Sequence, residues 1–113
     1  MGAILMKRGD ICWILFEPPD KRRPAIILTR ESAIGYLSAI TVAPVTTTIR
    51  RLPTEVTLGP NDGLTTECVV NLDGIHTVHK SLIGDRIAFL TEGKMAQVES
   101  ALLFALGMDR SLH

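Results

Sequence analysis

Three cations run into a proline, and the proline runs into a short apolar tract, in the stretch Lys21-Arg22-Arg23-Pro24-Ala25-Ile26-Ile27-Leu28-Thr29. The residue before a proline is driven out of the helical region, so Arg23 must be extended. The tract that follows is too short and too β-branched for a helix and reads as a core strand from Ala25 to about Arg30. A cationic cluster is thereby fixed at the start of a buried strand, where it can hold a phosphate. On charge alone, such a cluster is as well explained by a solvated turn.

Other strands follow the same logic. Ile11-Cys12-Trp13-Ile14-Leu15-Phe16 is apolar on both faces and predicts a strand with Trp13 in the core. The polar, proline-stiffened segment from Glu17 to Arg22 connects it to the Ala25 strand. A short helical stretch is expected around Glu31–Leu37, interrupted by Gly35. The third strand, Ala39 to Thr46, sets Ala43 and Val45 on one face and Val42, Pro44 and Thr46 on the other. Its proline requires an edge, a bulge or a strand end, so Thr46 should emerge at the rim of the sheet. Further short strands are expected at Glu55–Leu58, Glu67–Asn71, Ile75–Val78 and Arg86–Leu90. The final segment predicts a helix capped by Thr91, apolar at Met95, Val98, Leu102 and Ala105, and ended by Gly107. Short strands at this spacing, closed by one helix, describe a mainly β domain built on a small curved sheet or barrel.

With 113 residues, residues 1–113 make one domain with one core. The first six residues are expected to be a flexible leader. Apolar residues are 46% and charged residues 21%, an ordinary globular balance. No apolar run approaches the roughly 20 residues that span a bilayer, and the N-terminus fits no secretory signal. The chain is expected in the cytoplasm, where two buried free thiols at Cys12 and Cys68 are favoured over the alternative of one disulfide between them. Net charge is zero but unevenly spread. Residues 1–30 carry six Lys/Arg against three Asp/Glu, and residues 31–75 carry two against five. A nucleic-acid site would have to be a local patch.

No phosphate-cradling glycine loop, zinc spacing or nucleophile elbow is present. Acidic residues are scattered, which argues against a two-metal nuclease, so neither metal nor cofactor is expected. The remaining candidates are cationic and hydroxylic: Lys21, Arg22 and Arg23, then Thr46, Thr47 and Thr48, then Arg50 and Arg51. The threonine run is equally accounted for by strand propensity. Histidine is the usual acid–base side chain at neutral pH, but the odd spacing of His76 and His79 in a strand sends them to opposite faces.

In order, these blocks resemble the MazF/PemK family of toxin–antitoxin ribonucleases. The similarity runs through Arg8-Gly9-Asp10-Ile11-Cys12-Trp13, Arg22-Arg23-Pro24-Ala25-Ile26-Ile27-Leu28-Thr29 and Val42-Ala43-Pro44-Val45-Thr46-Thr47-Thr48-Ile49-Arg50. It continues through Leu52-Pro53-Thr54-Glu55-Val56, through Val69 to Val78, and through Gly84-Asp85-Arg86-Ile87 into the last helix. The resemblance implies an SH3-like β-barrel with a C-terminal helix, acting as a homodimer. It also implies cleavage of single-stranded RNA without a metal, through the RNA's own 2′-hydroxyl, leaving a 2′,3′-cyclic phosphate and a 5′-hydroxyl.

By the same resemblance the catalytic residues are Arg23 and Thr46. Lys21, Arg22, Thr47, Thr48, Arg50 and His76 are expected to bind RNA, and a MazE-like antitoxin is expected to cross the same groove. The sequence departs from the family pattern at the short 17–22 connection and at Gly74, His76 and His79, so the family's cut sequences do not carry over. A CcdB-like gyrase poison on the same barrel and a non-catalytic RNA-binding barrel are the alternatives. The first is weakened by a C-terminus, Gly107 to His113, that has no tryptophan.

Overall fold

A computed structural model describes residues 6–16 and 21–109. Seven strands form one curled antiparallel sheet: β1 (Asp10–Phe16), β2 (Lys21–Ile27), β3 (Ala39–Thr46), β4 (Glu55–Leu58), β5 (Cys68–Asn71), β6 (His76–His79) and β7 (Ile83–Phe89). A single helical turn, α1 (Glu31–Ile34), follows β2, and α2 (Glu92–Ala105) closes the chain. The path across the sheet runs β4-β5-β3-β2-β1-β7, with β6 paired to β3 off that path. The result is a half-barrel with a C-terminal helix, in keeping with the small curved sheet expected.

β3 is the organising strand. On one edge it pairs with β2, from Ile27 opposite Val42 to Ala25 opposite Pro44. On the other edge it pairs first with β6, over Ala39–Val42, and then with β5, at Val45 and Thr46. Pro44 lies just where that second edge changes partner, a position at which a missing N–H is tolerated. The turn at Leu72–Gly74 crosses over Pro44. A β-carbon on Gly74 would come within 3.0 Å of the Pro44 ring, so the backbone there can approach only because the residue is glycine.

Alternation along β3 divides the interior in two. Ala43 and Val45 join Ile11, Ile26, Leu58, Val70 and Leu72 beneath α2, which contributes Met95, Val98 and Ala101. Ile40 and Val42 join Cys12, Ile14, Ala25, Ile27 and Val78 on the opposite face, beside α1. The two cysteines fall in different clusters and are free thiols. Thr91 caps α2 by accepting the Lys94 N–H at 3.2 Å, and Gly107 ends it in a left-handed turn at φ 72°.

Several boundaries differ from expectation. β2 begins at Lys21 rather than Ala25, because β1 keeps pairing past the proline to Phe16 opposite Lys21. It ends at Ile27, where the Thr29 side chain takes over the ladder by accepting the Thr41 N–H at 2.8 Å. β7 begins at Ile83, three residues early, drawn along β1 through two register shifts. Of the expected leader, residues 1–5 lie outside the described residues, while Met6 is half-buried against the second core cluster. Most of the 17–22 connection also lies outside them. Among the described residues, no helix is long and apolar enough to cross a membrane.

Candidate nucleic-acid interface

The side chains of β2 and β3 leave the core at the same end of the sheet. The register Ala25–Pro44, continued two residues outward, sets Arg23 opposite Thr46. Both project from the face that buries Ala25, Ile27, Ile40 and Val42 further along. Arg23 is exposed and Thr46 half-buried. Two adjoining clefts open here, and Arg23, Val45 and Thr46 line both.

The first cleft, about 320 Å3, is largely apolar, with Trp13, Pro24, Leu64, Cys68 and Ile87 in its walls and Arg22, Thr47, Thr65 and Thr66 around them. The Arg22 guanidinium lies 4.8 Å above the centre of the Trp13 ring. The second, about 260 Å3, has more polar and charged residues around it, adding Thr48, Arg50, Glu55 and Asn71 to Pro44. Among the described residues, neither Arg22, Arg23 nor Arg50 is held in an ion pair.

Local hydrogen bonds fix this region. Thr46 Oγ1 accepts the Thr48 N–H at 3.1 Å, which leaves the hydroxyl proton to donate outward. Glu55 Oε1 gathers the N–H groups of Arg50, Arg51 and Leu52 at 3.0, 2.9 and 3.5 Å. Arg51 bends through a left-handed conformation at φ 57°, and the carboxylate fills the small nest of donors so formed. Asn71 Oδ1 accepts the Asp73 N–H at 3.0 Å, so its amide NH2 is the part available to the cleft. Burial, reinforced by Asp62 and Glu67, raises the Cys68 thiol above its ordinary range and keeps it uncharged. No group of three His, Cys, Asp or Glu side chains among the described residues is arranged to hold a metal ion.

Most of the residues singled out in the sequence meet here: Arg22, Arg23, Thr46 and Thr47 at the first cleft, and Thr48 and Arg50 at the second. Of the residues expected to act on or bind RNA, Lys21 and His76 do not line either cleft. Lys21 is exposed at the start of β2. His76 is drawn away because β6 pairs with the other half of β3, opposite Val42, roughly 13 Å along the strand from Thr46. There its Nδ1 lies 3.0 Å from the Gly74 carbonyl. Trp13, expected in the core, is instead a half-buried cleft wall, because β1 and β2 run together to the rim. Leu64, Thr65, Thr66, Glu55 and Asn71 carried no signal of a site role in the sequence.

Comparison with known proteins gives one consistent result. A family model described as PemK-like, MazF-like toxin of type II toxin–antitoxin system matches residues 7–106. Endoribonuclease MazF3 of Mycobacterium tuberculosis is 42% identical over 88 residues, 78% of this chain and 82% of that protein. The structure of the Mycobacterium tuberculosis toxin MazF-mt6 superposes with a TM-score of 0.81 at 35% identity, covering 88% of this chain and 98% of that one. An endoribonuclease of a mycobacterial species, solved in complex with its cognate antitoxin, gives a TM-score of 0.82 at 30% identity, with 91% and 96% covered.

Proposed function

The chain belongs to the PemK/MazF family of type II toxin–antitoxin toxins, and on that premise we propose that it is a sequence-specific endoribonuclease that cuts single-stranded RNA in the cytoplasm without a metal ion. The observation that supports this most is the wall common to the two clefts, formed by Arg23, Val45 and Thr46.

In this reading the scissile phosphodiester rests on that wall. The 2′-oxygen attacks phosphorus, the bond to the 5′-oxygen breaks, and a 2′,3′-cyclic phosphate and a 5′-hydroxyl result. Negative charge gathers on the non-bridging oxygens in the transition state. A planar guanidinium can meet two of them at once, which is the role assigned to Arg23. Thr46, its lone pair engaged by the Thr48 N–H, donates its proton to the same group. Preorganised donors of this kind are worth about 3–4 kcal/mol each. A guanidinium stays protonated in proteins and is a poor base, so Arg23 acts by electrostatics and by hydrogen bonding to the leaving 5′-oxygen. The 2′-hydroxyl proton passes by way of a non-bridging oxygen of the substrate to the departing 5′-oxygen, which leaves as the 5′-hydroxyl.

Arg22 and Arg50 hold phosphates to either side, and Lys21 extends that track along the start of β2. The cognate antitoxin, of the MazE kind, lays an acidic segment over the same cations, and the active protein is a homodimer. Incubation of mixed single-stranded RNA in EDTA should give fragments ending in cyclic phosphate and 5′-hydroxyl. Cleavage that stops in EDTA, or leaves 5′-phosphate ends, refutes the mechanism.

A further inference from the structure

Glu55 sets a carboxylate in the second cleft beside Arg23 and Arg50, where its charge opposes that of an entering phosphate. The chemistry assigned to Arg23 and Thr46 gives it no step, yet its place is closely specified. It opens β4 opposite Asn71 of β5, and β5 in turn pairs Val69 with Thr46. From there its Oε1 accepts the N–H groups of Arg50, Arg51 and Leu52. We propose that Glu55 is a positioning residue for RNA cleavage. Its carboxylate fixes the turn after β3, and through that turn it holds the Thr46 hydroxyl and the Arg50 guanidinium in place. This rests on the RNA-cleaving reading and adds how one of its two catalytic groups is oriented.

Two side chains, one at each end, hold this turn. β3 ends at Thr46 and β4 begins at Glu55. Between them the Thr48 N–H ends on Thr46 Oγ1, and those of Arg50, Arg51 and Leu52 end on Glu55. Arg51 sits at φ 57°, a conformation that costs a non-glycine residue energy and persists only where its surroundings impose it. A carboxylate oxygen at the focus of three donors supplies that constraint. Without it the donors lose their acceptor and the turn relaxes. The Thr48 N–H then no longer fixes the direction in which the Thr46 proton points. Glu55 does this without capturing the cations beside it. Among the described residues it is in no ion pair with Arg23 or Arg50.

Single-turnover cleavage at saturating RNA, counted per folded molecule, tests this, because weaker binding through Arg50 then no longer counts. Glu55→Ala should cut about tenfold more slowly, within the roughly 100-fold that a small displacement of a reacting group can cost. Glu55→Gln keeps an accepting oxygen at the same reach and should recover most of that rate. Glu55→Asp keeps the charge but falls short of the turn, so it should stay slow, and it stands in should Glu55→Ala not fold. The sharpest comparison is in a Thr46→Ala background. There Glu55→Ala should change the rate by less than about twofold, because the hydroxyl it positions is gone. A residue that only keeps the protein folded would slow both backgrounds alike. Glu55→Ala at the parent's rate, Glu55→Gln as slow as Glu55→Ala, or an undiminished loss in the Thr46→Ala background each overturns the positioning role alone. If the parent cuts no RNA, the endoribonuclease reading fails and the positioning role fails with it.

Discussion

The two halves of β3 share an alternation and a face but serve opposite ends. In the half paired with β6, Ile40 and Val42 are fully enclosed by β2, β6 and α1. In the half paired with β5, the same face emerges as Pro44 and Thr46 and meets Arg23 at the mouth of two clefts. Packing decides the first half, while the second is shaped by what it leaves open. A site made by running two strands out of the core inherits the rigidity of the core without needing a motif of its own.

Substitutions in the closed half should cost stability rather than chemistry. Ile40→Ala removes a side chain that is 1% exposed and is expected to lower the unfolding free energy by about 2–5 kcal/mol. Urea titration measures this, and cleavage per folded molecule should stay near that of the parent. A strong loss of turnover in a fully folded Ile40→Ala protein would break the distinction between the halves.

Glu55 joins the open half to the loop beyond it. Glu55→Ala frees the three N–H groups of Arg50, Arg51 and Leu52 and should cost about 1–3 kcal/mol, read as a lower urea midpoint. Glu55→Gln keeps an accepting oxygen and should lose less. Equal losses in both would place the effect in the charge rather than in the hydrogen bonds.

The smallest effect is one of pH in the closed half. Burial, with Asp10 alongside, pushes the Cys12 thiol from its ordinary 9.0 up to about 11. The folded state thus holds this proton to higher pH than the unfolded chain does. The resulting stability is complete below pH 9 and is lost as pH rises toward 11. Urea midpoints should therefore fall less steeply over that interval in Cys12→Ala than in the parent. Identical slopes would show that Cys12 titrates alike in both states.

What was legible in the sequence followed range along the chain rather than this division. Alternation through Ala39–Thr46 located β3, its two faces and the emergence of Thr46, and Pro24 announced the extended Arg23. These features are local, since a proline and a period of two act over a few residues. The clefts themselves are not local. Leu64, Thr65 and Thr66 reach the Trp13 wall from a turn some fifty residues away in the chain. Trp13 reads as core because its neighbours Ile11, Cys12 and Ile14 are buried, and only the pairing of β1 with Arg22 and Pro24 brings it to the rim. His76 lies apart from the clefts for a similar reason, as its place depends on which half of β3 accepts β6.

The central claim is that Arg23 and Thr46 act together on one phosphate. Single-turnover cleavage of one RNA by Arg23→Ala, Thr46→Ala and the double variant, each confirmed folded, tests it most directly. Each single change should slow cleavage about 10²–10³-fold, with the double variant little slower than the slower single, as for groups that work as a unit. Single variants that cut as fast as the parent would contradict it.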